Sequence, residues 1–89
     1  MMFRFDRASP YSVMFEITVD DKLEAYIREA PRIALEHEFM SLVNQAARYP
    51  KPVKVRMSRK VPIYDPFDKT TIEREHSIEF TNKAWNERN

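Results

Sequence analysis

DKLEAYIREAPRIALEHEFMSLVNQAARY, residues Asp21–Tyr49, is the one long run in the chain with a helical period. The sequence on either side of it reads as strand, so it is the layer against which the rest must pack. From Arg32 onward, at about 100° per residue, Leu35, Phe39, Leu42, Val43, Ala46 and Tyr49 share one face. His37, Ser41, Asn44, Gln45 and Arg48 share the other. On the same wheel Leu23, Tyr26, Ile27 and Ala30 fall roughly 140° away from the Leu35 stripe. Pro31 stands at the change of phase, and a proline inside a helix costs about 3 kcal/mol. The pattern predicts two helical segments, or one kinked helix, meeting near Ala30–Pro31. Asp21 and Glu24 have the form of a capping box for the first segment. Pro50 and Pro52 stop the second, and Arg48 suits the negative end of its dipole.

Outward from this run, residues alternate. Met1–Phe5 reads as a short strand, joined across a turn at Asp6–Pro10 to a strand at Tyr11–Val19. In the latter, Tyr11, Val13, Phe15, Ile17 and Val19 share one face. Val53–Ile63 alternates again, with Pro62 marking a part that is unpaired on one side. Thr70–Phe80 places Ile72, Arg74, His76, Ile78 and Phe80 on one face and Glu73, Glu75, Ser77 and Glu79 on the other. Pairing Ile63 with Ile72 sets Lys60 opposite Glu75 and Arg56 opposite Glu79. A two-residue slip would instead set Arg59 against Arg74, a like-charge pair. The expected fold is α+β: a small antiparallel sheet of three or four strands with the kinked or two-segment helix on one face, in the order β–β–α–α–β–β. Residues 1–81 form its single domain, and residues 82–89 a polar C-terminal tail that contains Trp85.

The 89-residue chain has no cysteine and a net charge of +1 with 33% charged residues. No disulfide or thiolate metal site is available, and there is no bulk electrostatic pull toward nucleic acid or membrane. Neither a spanning apolar run nor a leader pattern is present, so a cytoplasmic location is expected, away from the membrane. The chain also lacks glycine, where an average one of this length carries about six. That removes phosphate-binding glycine loops and the nucleophile elbow. It also argues against two-residue hairpins, leaving proline- and aspartate-based turns at Asp6–Pro10, Tyr49–Pro52 and Tyr64–Thr70.

The run from Arg48 to Lys60 carries Arg48, Lys51, Lys54, Arg56, Arg59 and Lys60 and no acid. With Tyr49 beside it, the run could contact phosphates and stack on a base. The plainer reading has Arg56 and Lys60 neutralised by Glu79 and Glu75. Arg59, Arg74 and His76 share the inward face of the hairpin and form a possible anion site; the alternative is that the strands outrun the helices there and the face is wet. His37 lies between Glu36 and Glu38, but neighbours in sequence point apart on a helix, so no metal set is formed. No catalytic constellation, cofactor loop or metal site is expected, and an enzyme is the least supported class. What remains is a small binding protein, a regulator, inhibitor or accessory subunit, acting through protein contacts. Leu23, Tyr26, Ile27 and Trp85 are its expected partner contacts. A homodimer would cover the stripe that faces away from the sheet. Nucleic-acid binding through Arg48–Lys60 is the second reading.

Overall fold

A computed structural model describes residues 10–88. Four strands and two helices follow in the order β1 (Pro10–Val19), β2 (Lys22–Pro31), α1 (Arg32–Arg48), β3 (Val53–Asp65), β4 (Thr70–Thr81) and α2 (Lys83–Glu87). One antiparallel sheet holds all the strands in the order β2-β1-β3-β4. The class is α+β, as expected, but the element order β–β–α–β–β–α differs. The expected strand at Met1–Phe5 and the turn at Asp6–Pro10 lie outside the described residues, apart from Pro10, which opens β1.

The main correction concerns Lys22–Pro31, a strand rather than the first helical segment. Leu23, Tyr26, Ile27 and Ala30 match a helical period, and Leu, Glu, Ala and Arg favour helices. Pairing overrides that preference. β2 runs against β1 without interruption from Val19↔Lys22 to Pro10↔Pro31. Tyr26 stacks on Phe15 with ring centroids 5.3 Å apart, and Ala30 is buried. The apolar residues of this edge strand are split between its two faces, so the alternation that marks a strand is blurred. Pro31 still separates two elements. With φ −58° and ψ 151° it ends the strand and precedes the first helical residue, where its missing N–H leaves no gap in the helix.

The second correction is the β1–β2 turn. Asp20 and Asp21 both take positive φ, 52° and 72°, which is the two-residue type I′ hairpin that the absence of glycine had argued against. Aspartate tolerates this region better than most residues. The longer turns stand where proline and aspartate placed them: at residues 49–52, and at 66–69, where Asp65 accepts from the Phe67 backbone N–H at 2.9 Å. The β3–β4 register is also as expected, with Ile63↔Ile72, Lys60↔Glu75 and Arg56↔Glu79.

The core lies between α1 and the middle of the sheet. Leu35, Phe39 and Ala46 of α1 pack with Val13, Phe15, Ala30, Val53 and Val55, and Leu42 and Val43 are half-buried beside them. Tyr49, placed on the same stripe by the wheel, is exposed.

Residues 82–89, expected to form a polar tail, begin with the best-satisfied polar side chain of the structure. Asn82 is 2% exposed. Its Nδ2 donates to the carbonyls of Ala46, Tyr49 and Lys51, at 3.0, 3.3 and 2.9 Å. Its Oδ1 accepts from the backbone N–H of Val53 and of Trp85, at 3.0 and 2.9 Å. The Trp85 bond caps α2. Arg88 closes the segment onto the β1–β2 turn by a 2.8 Å bond to Asp21.

Two stability predictions follow from these contacts. Asn82→Ala leaves buried carbonyls and N–H groups without partners and should cost about 3 kcal/mol in chemical denaturation. Asn82→Asp, which turns three donor contacts into carboxylate–carbonyl contacts, should be at least as damaging at neutral pH and recover in part in acid. Asp21→Gly should raise the melting temperature, with a gain of about 0.5–1 kcal/mol. Relief of the positive φ outweighs loss of the exposed Asp21–Arg88 pair, since such pairs contribute little.

Candidate functional site

β3 and β4 form a hairpin that outruns the rest of the fold. The pairing of β1 with β3 ends at Met14↔Ser58, whereas β3 continues to Asp65. Beyond Ser58 the hairpin has no covering layer, and β4 is exposed from Thr70 to Glu79. The described residues extend 50 × 34 × 18 Å with a radius of gyration of 16.4 Å. A compact chain of this size has a radius of about 12 Å. Pro62 sits on the stretch of β3 that lacks a neighbour on one side, where a proline is tolerated.

The two faces of this arm differ. On the face shared with α1 stand Val61, Ile63, Ile72 and Ile78, with Arg59, Arg74 and His76 among them; the one carboxylate in the same alternation of the arm is Asp65, at its tip. Ile72 is 49% exposed and Ile78 52%. Arg59 lies opposite His76, Arg74 is two residues further along β4, and all three are exposed. The Arg59 guanidinium sits over the Tyr11 ring at 4.5 Å. The outer face is a lattice of direct and diagonal ion pairs. Arg56 bridges Glu16 at 3.0 Å and Glu75 at 2.9 Å, and Lys54 reaches Glu79 at 3.5 Å. Glu75 and Glu79 neutralise part of the run, but through diagonal pairs with Arg56 and Lys54, while Glu16 meets Arg56 from directly across on β1; the expected pairs Lys60–Glu75 and Arg56–Glu79 are not formed among the described residues.

The basic run Arg48–Lys60 does not form one surface. Arg48 ends α1, and Lys51 lies in the following turn, 3.7 Å from Asp20. Lys54, Arg56 and Lys60 belong to the outer face and Arg59 to the inner one. The expected partner contacts are divided in the same way. Leu23 and Ile27 project from the outer face, 60% and 66% exposed. Tyr26 turns inward, and its hydroxyl donates to Glu38 Oε2 at 2.8 Å. Trp85 is half-buried on α2, with the Arg88 guanidinium 4.5 Å and the Lys54 ammonium 5.8 Å from its ring centroid.

The outrunning of the helices by the hairpin was read in the sequence as the alternative to an anion site; the exposure of its isoleucines and the role of Asn82 were not. The uncovered Ile72 and Ile78 follow from lengths alone: 13 strand residues span about 43 Å, and 17 helical residues about 25 Å. Asn82 had a readable signal, an asparagine directly before a short run able to form a helix. Among the described residues no group of three or more acids and histidines is placed to hold a metal, and no helix is long and apolar enough to cross a membrane. Comparison with known proteins finds no matching family, curated protein or solved structure.

Tyr26, Glu38 and Arg28 tie β2 to α1. Arg28 Nε donates to Glu38 Oε1 at 2.7 Å. Burial, the hydrogen bond to Glu38 and the Glu38 charge push the Tyr26 phenol up to about 12. Burial would raise the Glu38 carboxyl, but hydrogen bonds from Arg28 and Tyr26 and the Arg28 charge outweigh it and hold the group below its ordinary 4.5. The Tyr26 contribution is therefore complete below pH 10 and lost as pH rises toward about 12. The Glu38 contribution is complete above pH 4.5 and lost as pH falls through its lowered value. Denaturation across pH should show both limbs, with Tyr26→Phe flattening the alkaline one and Glu38→Gln weakening the acid one.

Proposed function

We propose that this chain is a small non-enzymatic binding protein, a regulator, inhibitor or accessory subunit, and that the inner face of the β3–β4 arm is its contact surface. The observation that carries the reading is the row of exposed Ile63, Ile72 and Ile78, with half-buried Val61, on strands that leave the core behind. Apolar side chains on a projecting hairpin contribute nothing to the core and gain from burial against a partner. Arg59, Arg74 and His76 among them, with Asp65 the one acid of that alternation and confined to the tip, favour a partner that presents apolar and acidic side chains together. Nucleic acid is the second reading. It ranks lower because the Arg48–Lys60 cations are spread over both faces and the turn, and Lys51, Lys54 and Arg56 already face carboxylates.

The test is affinity capture from the source cells with wild type and with the double variant Ile72→Ser/Ile78→Ser. These positions are exposed, so stability should change by no more than about 0.5 kcal/mol. Binding of the captured protein should fall by about tenfold or more. Undiminished capture by the variant would move the contact elsewhere. Binding to single-stranded DNA or RNA that weakens steeply with salt would favour the second reading.

A further inference from the structure

The sheet exposes three stretches of unpaired backbone among the described residues, and they differ in how well they resist an added strand. Backbone direction follows from two bonds. The type I′ turn makes Val19↔Lys22 a hydrogen-bonded pair, and Asn82 N–H donates to the Val53 carbonyl at 3.1 Å. Alternation then assigns the rest.

In the gap beside β3, the backbone groups facing outward belong to Lys60, Pro62 and Tyr64. Pro62 has no N–H, so a strand cannot be added there without a break. On the outer edge of β4 they belong to Thr71, Glu73, Glu75, Ser77, Glu79 and Thr81. Three carboxylates in that row oppose pairing with a like edge. On the outer edge of β2 they belong to Leu23, Ala25, Ile27 and Glu29. Its outward row carries one carboxylate, Glu29, its lysine, Lys22, is confined to the turn end, and it has no proline before Pro31 and no bulge in its pairing with β1. It is the least protected of the three stretches.

We propose that two copies of the chain join through β2, antiparallel about a two-fold axis at Tyr26, into one continuous sheet. Outward-facing residues must exchange bonds with outward-facing residues, so the axis passes through Ala25, Tyr26 or Ile27. An axis at Ala25 sets Lys22 against Arg28 of the second copy, a like-charge pair. An axis at Ile27 leaves Glu24 opposite Ala30. An axis at Tyr26 sets Glu24 opposite Arg28 in both directions and Ala25 opposite Ile27. Arg28 meets Glu38 through Nε, which leaves its terminal amino groups to donate to the incoming Glu24. The exposed Leu23 and Ile27 of both copies, together with Met14, then lie side by side on the outer face. The occupant is a second copy because the edge is complementary to itself in charge, and a two-fold pairing closes without leaving a second β2 free.

Light scattering of the full chain at micromolar concentration should report about twice the chain mass. Ala25→Pro removes an N–H that points away from β1, and Ala25→Lys adds an edge charge. Both should return the chain mass with unchanged circular dichroism. The absence of cysteine allows a test of register. A mixture of Glu24→Cys and Arg28→Cys chains should form a disulfide-linked dimer on oxidation, and neither variant should do so alone. A monomeric wild type, a mass above two chains, a dimer unaffected by both Ala25 variants, or cross-linking of either cysteine variant by itself would each overturn the proposal. The β2 edge is separate from the β3–β4 arm, so loss of dimerisation with partner capture intact, or the reverse, tells this inference from the proposed function.

Discussion

The side chain of Asn82 is the point at which the ends of the structure meet. One amide group receives the last carbonyls of α1, a carbonyl of the turn that follows, the first N–H of β3 and the first turn of α2. A helix end leaves carbonyls unpaired, and burying them alone is costly. Donors and acceptors matched on a single residue make that junction possible. With the junction held, the direction in which β3 leaves α1 is set, and so is the part of the sheet that the helix can cover.

What the helix covers is limited by its length. α1 shields the part of the sheet that contains Phe15 and Val55, the largest fully buried side chains. The far half of the hairpin lies beyond its reach. Apolar residues at equivalent places in the alternation of β3 therefore have opposite fates: Val53 and Val55 are core, while Ile63 is surface. A domain this small gains little from the surface half of that hairpin, which is the physical ground for assigning it to a partner.

Charge follows the same division. The outer face neutralises itself through Glu16, Arg56, Glu75, Lys54 and Glu79, and such exposed pairs contribute little stability. The inner face of the arm holds Arg59, Arg74 and His76 among isoleucines, with Asp65 only at its tip. A net charge near zero is thus compatible with two surfaces of different character, one closed by its own ion pairs and one open to a complementary partner.

The two longest strands and their register were legible in the sequence, because alternation and charge pairing are local patterns. Ile63↔Ile72 could be read from the chain, and Arg56 had acids within reach whichever diagonal it chose. The second helix segment was legible for the same reason: its stripe from Leu35 to Ala46 is periodic, and prolines bound it. Lys22–Pro31 was not. Its residues satisfy a helical period, and only β1 lying alongside makes it a strand. The Asp20–Asp21 turn depends on that same pairing, which holds two non-glycine residues at positive φ. The role of Asn82 depends on five backbone groups from α1, the following turn, β3 and α2 arriving at one place. Local patterns declare themselves along the chain, whereas an edge strand, a strained turn and a buried amide take their energy from neighbours distant in sequence.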